Sequence, residues 1–101
     1  MRILILPSAR DDLRAGFGFY ERQQEGLGNY FLDSLFSDIE SLRLFAGVHP
    51  KHFGYHRLLS KRFPFAIYYD QEHRAVRAWA VLDCRQDPNA IREQLAGLRK
   101  S

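Results

Sequence analysis

Apolar and polar residues alternate along residues 55–88, and this alternation predicts the centre of the domain. The first run is predicted to be a strand with one fully buried face and a second face that is at most half buried. Its buried face comprises Phe63, Phe65, Ile67 and Tyr69. After a polar loop at 70–74, a second run predicts an antiparallel strand with one shared face, formed by Val76, Ala78, Ala80 and Leu82. A shorter candidate at Tyr55–Leu59 completes a predicted three-strand meander.

The N-terminal part of the chain predicts a short strand followed by a helix. The strand covers residues 2–6 and is stopped by Pro7. Ser8 and Asp11 have the spacing of a capping box, with Asp11 and Asp12 in the first helical turn, where the helix dipole favours negative charge. The expected apolar face of this helix has spacings of four, four and three residues and comprises Ala9, Leu13, Phe17 and Tyr20.

A second helix is predicted from Asn29, after the turn formed by Gly-Leu-Gly at 26–28. Its apolar stripe is the most regular of the sequence and comprises Phe31, Leu35, Ile39, Leu42 and Phe45. Gly47 and Pro50 end it, and the short connection predicts an antiparallel helical hairpin.

A short final helix is predicted to begin with Asp87 as its N-cap and Pro88 as its first residue. Its apolar stripe comprises Ile91, Leu95 and Leu98. The predicted order is therefore β-α-α-β-β-β-α, an α+β fold in which the helical hairpin packs on a mostly antiparallel sheet.

Length and composition predict one domain spanning residues 1–101. The chain is 46% apolar, which is enough for a globular core, and no apolar run reaches the roughly 20 residues that a membrane-spanning helix needs. The single Cys84 is predicted to be a buried structural residue. A secreted domain this small would usually carry paired cysteines, so a cytoplasmic protein is expected.

Charge is distributed unevenly between the two halves. Residues 1–50 carry five Arg and Lys against seven Asp and Glu, a net of −2, and residues 51–101 carry ten against five, a net of +5. The segment from His49 to Arg62 has four cations, three histidines and no acid. This pattern is typical of a surface for an anionic partner, and the alternative is an ordinary solvated face.

Three segments resemble the ParE branch of the RelE/ParE superfamily, the toxin halves of bacterial toxin–antitoxin pairs that include plasmid stabilisation systems. They read GLGNYFLDSL, HRLLSKRFPFAIYY and AVLDCRQDP. The resemblance extends from Ile3 to about Leu98. It implies a cytoplasmic toxin that is held inactive by a cognate, ParD-like antitoxin, with operator DNA bound through the antitoxin.

The resemblance leaves two activities open, because ParE-like members inhibit DNA gyrase and RelE-like members cut messenger RNA on the ribosome. Cleavage of RNA requires a base and cations around the phosphate. Alignment with the RelE branch places Arg57 and Arg85 at basic positions, but Leu59 and Ala66 stand where two others are expected, and the tyrosine expected after Arg85 is missing. Gyrase inhibition without hydrolytic activity is therefore the expected function.

The alternatives are a RelE-like mRNA endonuclease, a non-toxic antitoxin-binding module and a direct nucleic-acid binder, which would show steep salt dependence. The candidate residues for binding the antitoxin or the target are Arg57, Lys61, Arg62 and Arg85. Alternatively, Arg62 and Arg85 pair with Asp83 and Asp87 and only brace the fold.

Neither a metal site nor a cofactor site is expected. The three histidines of the basic segment, His49, His52 and His56, have spacings of three and four, but Pro50 and Gly54 interrupt any helix there. No neighbouring cysteine or carboxylate would complete a metal site. Trp79 is expected to pack against a helix rather than to stack on a base.

Overall fold

The computed structural model describes residues 1–99, and it confirms the predicted α+β fold. The elements are β1 (Arg2–Ile5), α1 (Pro7–Gln23), α2 (Leu27–Glu40), α3 (Leu42–Phe45), β2 (Lys51–His52), β3 (Tyr55–Leu59), β4 (Phe65–Glu72), β5 (Ala75–Asp83) and α4 (Pro88–Leu98). Two short elements, α3 and β2, add to the predicted order. All other predicted elements are present.

The strands form one sheet in the order β1-β5-β4-β3-β2. β1 pairs with β5 in parallel, and the other neighbours are antiparallel. The predicted loop at 70–74 is too long, because β4 continues to Glu72. Its hairpin to β5 turns at His73 and Arg74, whose φ angles of 52° and 63° suit a tight hairpin connection.

A β-bulge at Trp79 changes which residues of β5 face each helix layer. Tyr69 pairs with Ala78 and Tyr68 pairs with Ala80, so Trp79 is an extra residue in β5. The single predicted face of Val76, Ala78, Ala80 and Leu82 is therefore wrong. Val76 and Ala78 lie on the face of α1, α2 and α3, whereas Ala80 and Leu82 pack with α4.

The hairpin of α1 and α2 packs on one face of the sheet through closely fitted aromatic and small residues. A Cβ atom added at Gly16 would lie 2.4 Å from Cζ of Phe31, and one added at Gly28 would lie 2.7 Å from the ring of Phe17. The two glycines thus let the helices approach, as the hairpin requires. Aromatic rings of both helices and of the sheet meet in this core: Tyr20, Phe31, Phe63 and Phe65.

The opposite face of the sheet is also covered, which the sequence analysis did not predict. Ala66 and Tyr68 of β4 are buried under Ile91 and Leu95 of α4. The expectation that this face is at most half buried is wrong, because an 11-residue helix is long enough to cover the central strands. The predicted Asp87 cap is confirmed, since its carboxylate accepts a hydrogen bond of 2.8 Å from the amide of Asn89.

The N-terminal cap predicted for α1 is wrong. The helix begins at Pro7, with Leu6 as its N-cap. Ser8 lies inside the helix, and its hydroxyl donates to the carbonyl of Trp79. Asp11 and Asp12 consequently fall beyond the first turn. Asp12 points towards β5 and accepts a hydrogen bond of 2.9 Å from the amide of Val81.

The second helix begins two residues before the predicted Asn29, directly after Gly26, whose φ is 88°. It ends at Glu40, and the chain then forms the single turn α3. The predicted buried stripe is confirmed as far as Leu42. Phe45 is 53% exposed, because the break between α2 and α3 turns it away from the sheet.

Candidate functional site

The four predicted binding residues lie at or near one end of the sheet. β3 ends, β4 begins and β5 ends there, since Leu59 pairs with Ala66 and Phe65 pairs with Asp83. The β3–β4 loop carries Lys61 and Arg62, the turn after β5 carries Arg85, and Arg57 lies on β3 two positions before Leu59. We call Arg57, Lys61, Arg62 and Arg85 the basic end of the sheet.

The loop of the basic end is fixed to α2 by a buried carboxylate. Asp38 is 6% exposed and accepts 2.7 Å and 3.4 Å hydrogen bonds from the Ser60 hydroxyl and the Lys61 amide. The next residues bring Phe63 into the aromatic core, where its ring meets Phe31 edge to face. The loop backbone is therefore anchored on both sides, while the side chains of Lys61 and Arg62 are exposed.

Arg57 is the least exposed cation of the basic end. It lies opposite Tyr68 on the face that α4 covers, and its Nε is buried without a hydrogen-bond partner among residues 1–99. Burial raises the pKa of the Tyr68 phenol, and the nearby Arg57 guanidinium partly offsets that rise. The Tyr68 phenol thus stays protonated at neutral pH, beside the guanidinium group at the edge of an apolar layer.

Arg85 is held by its own strand. Its Nε and Nη2 donate to the two carboxylate oxygens of Asp83 at 3.0 Å and 2.7 Å. These hydrogen bonds hold the pKa of Asp83 below its usual range. Arg85 is therefore braced by Asp83, as the alternative interpretation predicted. The predicted ion pairs of Arg62 and of Asp87 are wrong, because Asp87 caps α4 and Arg62 makes no ion pair within residues 1–99.

Cys84, next to Arg85, is exposed, so its predicted burial is wrong. The strand ends at Asp83, and Cys84 falls in the following turn rather than in the core. Partial burial of the thiol raises the pKa of Cys84, and Arg57 acts in the opposite sense. A thiol with a raised pKa is a poor nucleophile at neutral pH.

A second surface, which the sequence analysis missed, lies on the outer side of the helical hairpin. An open cavity of about 600 Å³ runs between α1 and α2, and we call it the hairpin groove. Its walls are mostly apolar and are lined by Arg10, Leu13, Arg14, Phe17, Asn29, Leu32 and Phe36. Leu32 and Phe36, four residues apart, form an apolar stripe beside the core stripe, and this spacing was the available sequence signal.

Two of the three histidines of the basic segment, His49 and His56, form hydrogen bonds within the fold. Nδ1 of His49 is hydrogen-bonded to the hydroxyl of Tyr69, and Nδ1 of His56 bonds the carbonyl of His49 at 2.6 Å. Burial, with a smaller contribution from His56, lowers the pKa of His49. In the described part of the chain, no group of three His, Cys, Asp or Glu side chains is arranged to hold a metal ion.

No helix within residues 1–99 is both long and apolar enough to span a membrane. Comparison with known proteins gives no matching family model and no matching curated protein. Among solved structures, the chain is similar to a chain of "Chromosomal ParDE TA system from P. aeruginosa", with a TM-score of 0.66 and 16% sequence identity. The similarity covers 80% of this chain and 92% of that chain. At this identity it shows a shared fold, the α+β architecture of helices packed on a mostly antiparallel sheet that was expected from the sequence.

Proposed function

We propose that this protein is the toxin of a type II toxin–antitoxin system, acts in the cytoplasm by inhibiting DNA gyrase, and is neutralised by a ParD-like antitoxin. The observation that carries the proposal is the fold shared with a chain of a ParDE system over most of both chains. A fold alone does not determine function. The argument therefore depends on the two surfaces described above.

The hairpin groove has the properties of a binding site for an amphipathic antitoxin helix. Phe36 is 44% exposed at its wall, and the groove floor reaches the buried Leu13. Arg10 and Arg14 lie one helical turn apart along its edge. A helix that places apolar side chains in the groove would thus bring carboxylates of its polar face beside two cations.

The basic end of the sheet is proposed to bind the acidic segment that follows such a helix. Lys61 and Arg62 are exposed on an anchored loop, so they pair with a carboxylate without large loss of loop entropy. Arg85 contributes less, because it already shares its guanidinium with Asp83. Operator DNA is reached only through the antitoxin in this proposal.

Gyrase inhibition is favoured over RNA cleavage by the chemistry of the basic end. Ala66 is fully buried and supplies no charge at the position where the RelE branch has an arginine. Arg85 stands at one of the basic positions of the RelE branch. It forms a bidentate ion pair with Asp83, and a phosphate would have to displace this carboxylate. The phosphorane of RNA cleavage requires cations on the reacting phosphate, and Leu59 and Ala66 stand at two of the positions that supply them in the RelE branch.

The test is gyrase-catalysed supercoiling of a relaxed plasmid during titration with this protein, with and without the product of the neighbouring gene. Loss of supercoiling or accumulation of cleaved DNA, reversed by the neighbour, supports the proposal. An unchanged reaction with excess folded protein refutes gyrase inhibition. Cleavage of messenger RNA on ribosomes would then identify the endonuclease alternative, and unaffected translation would identify a non-toxic antitoxin-binding module.

The hairpin groove is tested separately with Phe36→Glu. The substitution should weaken binding of the neighbour's product by at least about tenfold, because it places a carboxylate in an apolar contact. Phe53→Glu is the matched control, since Phe53 is 47% exposed and lies in the β2–β3 turn away from the groove. Equal affinities of the two variants would exclude the groove as the antitoxin site.

A further inference from the structure

The edge of β5 loses its strand neighbour halfway along its length. β1 pairs with β5 only from Ala75 to Ala78, because the chain leaves the sheet after Ile5 and enters α1. Beyond Ala78, β5 has a strand on its β4 side alone within residues 1–99. The space left by β1 is bordered by α1 on one side and by α4 on the other.

Two side chains of α1 fill part of this space. Ser8 donates its hydroxyl hydrogen to the carbonyl of Trp79, and Asp12, one turn later, accepts the amide hydrogen of Val81. They replace two of the hydrogen bonds that a longer β1 would form. The amide of Val81 binds only Oδ2 of Asp12, and Oδ1 accepts no hydrogen bond from the described chain.

Two cavities, of about 260 Å³ and 220 Å³, lie along this edge and share Asp12, Leu82 and Gln94 in their linings. Together they form what we call the α1–α4 cleft. The first cavity also reaches Phe19, whose side chain is 46% exposed, and the amide of Gln86. The cleft thus combines an apolar wall with several hydrogen-bond acceptors.

The cleft carries a negative charge that the fold does not neutralise. Within residues 1–99 no Arg, Lys or His lies within 4 Å of the Asp12 carboxylate, whereas Asp83 at the far end is paired with Arg85. Burial raises the pKa of Asp12 to about 6, and the neighbouring Asp11 acts in the same direction. An ionised carboxylate in this position would be stabilised by a cation that enters the cleft.

We propose that the α1–α4 cleft binds an arginine side chain presented by a partner polypeptide, with the guanidinium on the Asp12 carboxylate. The methylene groups would lie against Phe19 and Leu82, and the remaining N–H groups would reach the side-chain oxygens of Gln86 and Gln94. The arginine guanidinium group has five N–H donors in one plane. It can therefore reach these separated acceptors better than a lysine ammonium group can. The first cavity borders the basic end at Asp83 and Gln86, but the linings of the two cavities include no residue of the hairpin groove or of the basic end, so the proposal does not depend on the proposed toxin function.

The test uses N-acetyl-arginine amide as the probe and follows the backbone amide chemical shifts of the whole protein. We expect saturable shifts at Asp12, Val81 and Gln94, with a dissociation constant in roughly the millimolar range for so small a ligand. The citrulline analogue, which has the same shape and no charge, should bind at least about tenfold more weakly. The lysine analogue should fall between them. Equal shifts with citrulline, or no saturable shift near Asp12, would overturn the proposal.

Asp12→Asn should weaken binding of the arginine probe by at least about tenfold, while Asp11→Asn, the matched control, should change it by less than about twofold. Asp11 is suitable because its side chain is 75% exposed and outside both cavities. A second measurement needs no variant: saturating probe should lower the pKa of Asp12, followed by its carboxyl chemical shift, by at least about one unit. An unchanged pKa would refute contact between the guanidinium and this carboxylate.

Discussion

The ring of Phe31 in α2 lies directly against the backbone of Gly16 in α1. A methyl group at position 16 would be 2.4 Å and 2.5 Å from two ring carbons of Phe31. The ring cannot move away easily, because Tyr20, Phe63 and Phe65 pack against it. The packing of the helical hairpin therefore requires glycine at position 16.

Gly16→Ala should lower the free energy of unfolding by about 1–3 kcal/mol, because overpacking outweighs the gain in helix propensity. Gly18→Ala is the matched control, since its methyl group would meet only the flexible end of the Arg22 side chain. The control should stabilise the protein by up to about 1 kcal/mol. Urea unfolding of both variants checks the prediction, and a stabilised Gly16→Ala protein would contradict it.

The contributions of Asp38 and Ser60 to the free energy of unfolding should be coupled, because their side chains share a hydrogen bond. Asp38→Ala should cost about 1–3 kcal/mol of unfolding free energy, because it leaves the Ser60 hydroxyl and the Lys61 amide without their acceptor. Ser60→Ala should cost less, and the double variant should show a coupling energy of at least about 0.5 kcal/mol. Additive effects in this cycle would show that the hydrogen bond does not anchor the loop.

Asp12 should give the stability of the protein an unusual pH dependence. Its pKa of about 6 in the folded state lies above the usual aspartate value of 3.8, so protonation favours the folded state. The ionised group therefore destabilises the fold above about pH 6, and this cost disappears as the pH falls towards about 4. Relative to Asp12→Asn, the wild-type protein should gain up to about 3 kcal/mol between about pH 8 and pH 4.

Denaturant unfolding at several pH values measures this difference. Asp11→Asn is the control for the loss of one negative charge from α1, and it should not remove the effect. Parallel curves for the wild-type protein and Asp12→Asn would contradict the prediction.

Arg99 should fasten the C-terminal end of α4 to the sheet. Its guanidinium lies 4.1 Å from the centroid of the Tyr55 ring and donates to Asp70 at 2.9 Å. Burial raises the pKa of Asp70, but hydrogen bonds from Arg77 and Arg99 outweigh this and keep the pKa below its usual value. The Asp70 carboxyl group is thus ionised at neutral pH.

Arg99→Ala should cost about 0.5–2 kcal/mol and lower the melting temperature by several degrees. Arg92→Ala removes an equally cationic, exposed side chain of α4 that, within residues 1–99, forms a hydrogen bond only with Asn89. It should change stability by less than about 0.5 kcal/mol. Equal melting temperatures for the two variants would show that Arg99 does not brace the helix.

The strands and helices of the fold could be predicted because their patterns are local. The strand before Tyr69 and the Asp87-Pro88 cap depend on neighbouring residues, and both are confirmed, although the strand is buried on both faces. The bulge at Trp79 could not be predicted, because it depends on how β5 pairs with β4 and where β1 ends. The same limit explains Asp12, which was expected in the first turn of α1 but lies beyond it and accepts a hydrogen bond from the amide of Val81, 69 residues away.

Prediction of the candidate site was also limited to what local sequence patterns show. Charge in the sequence identifies the cations of the basic end, and the meander brings Lys61, Arg62 and Arg85 to one end of the sheet. Their roles in binding remain predictions. The hairpin groove was missed because Phe17 was assigned to the core, and only the packing of α1 against α2 shows that it also lines the outer surface.

The parallel pairing of β1 with β5 also limits when the protein can finish folding during its own synthesis. Arg2 pairs with Ala75, so 73 positions of chain must be made before the first strand finds its neighbour. The helical hairpin is local and can form earlier, whereas the β4–β5 hairpin also needs residues 75–83. Until residue 75 and the following strand have left the ribosome, β1 has no place in the sheet. Assembly of the complete sheet, and of any surface that depends on it, therefore comes late in translation.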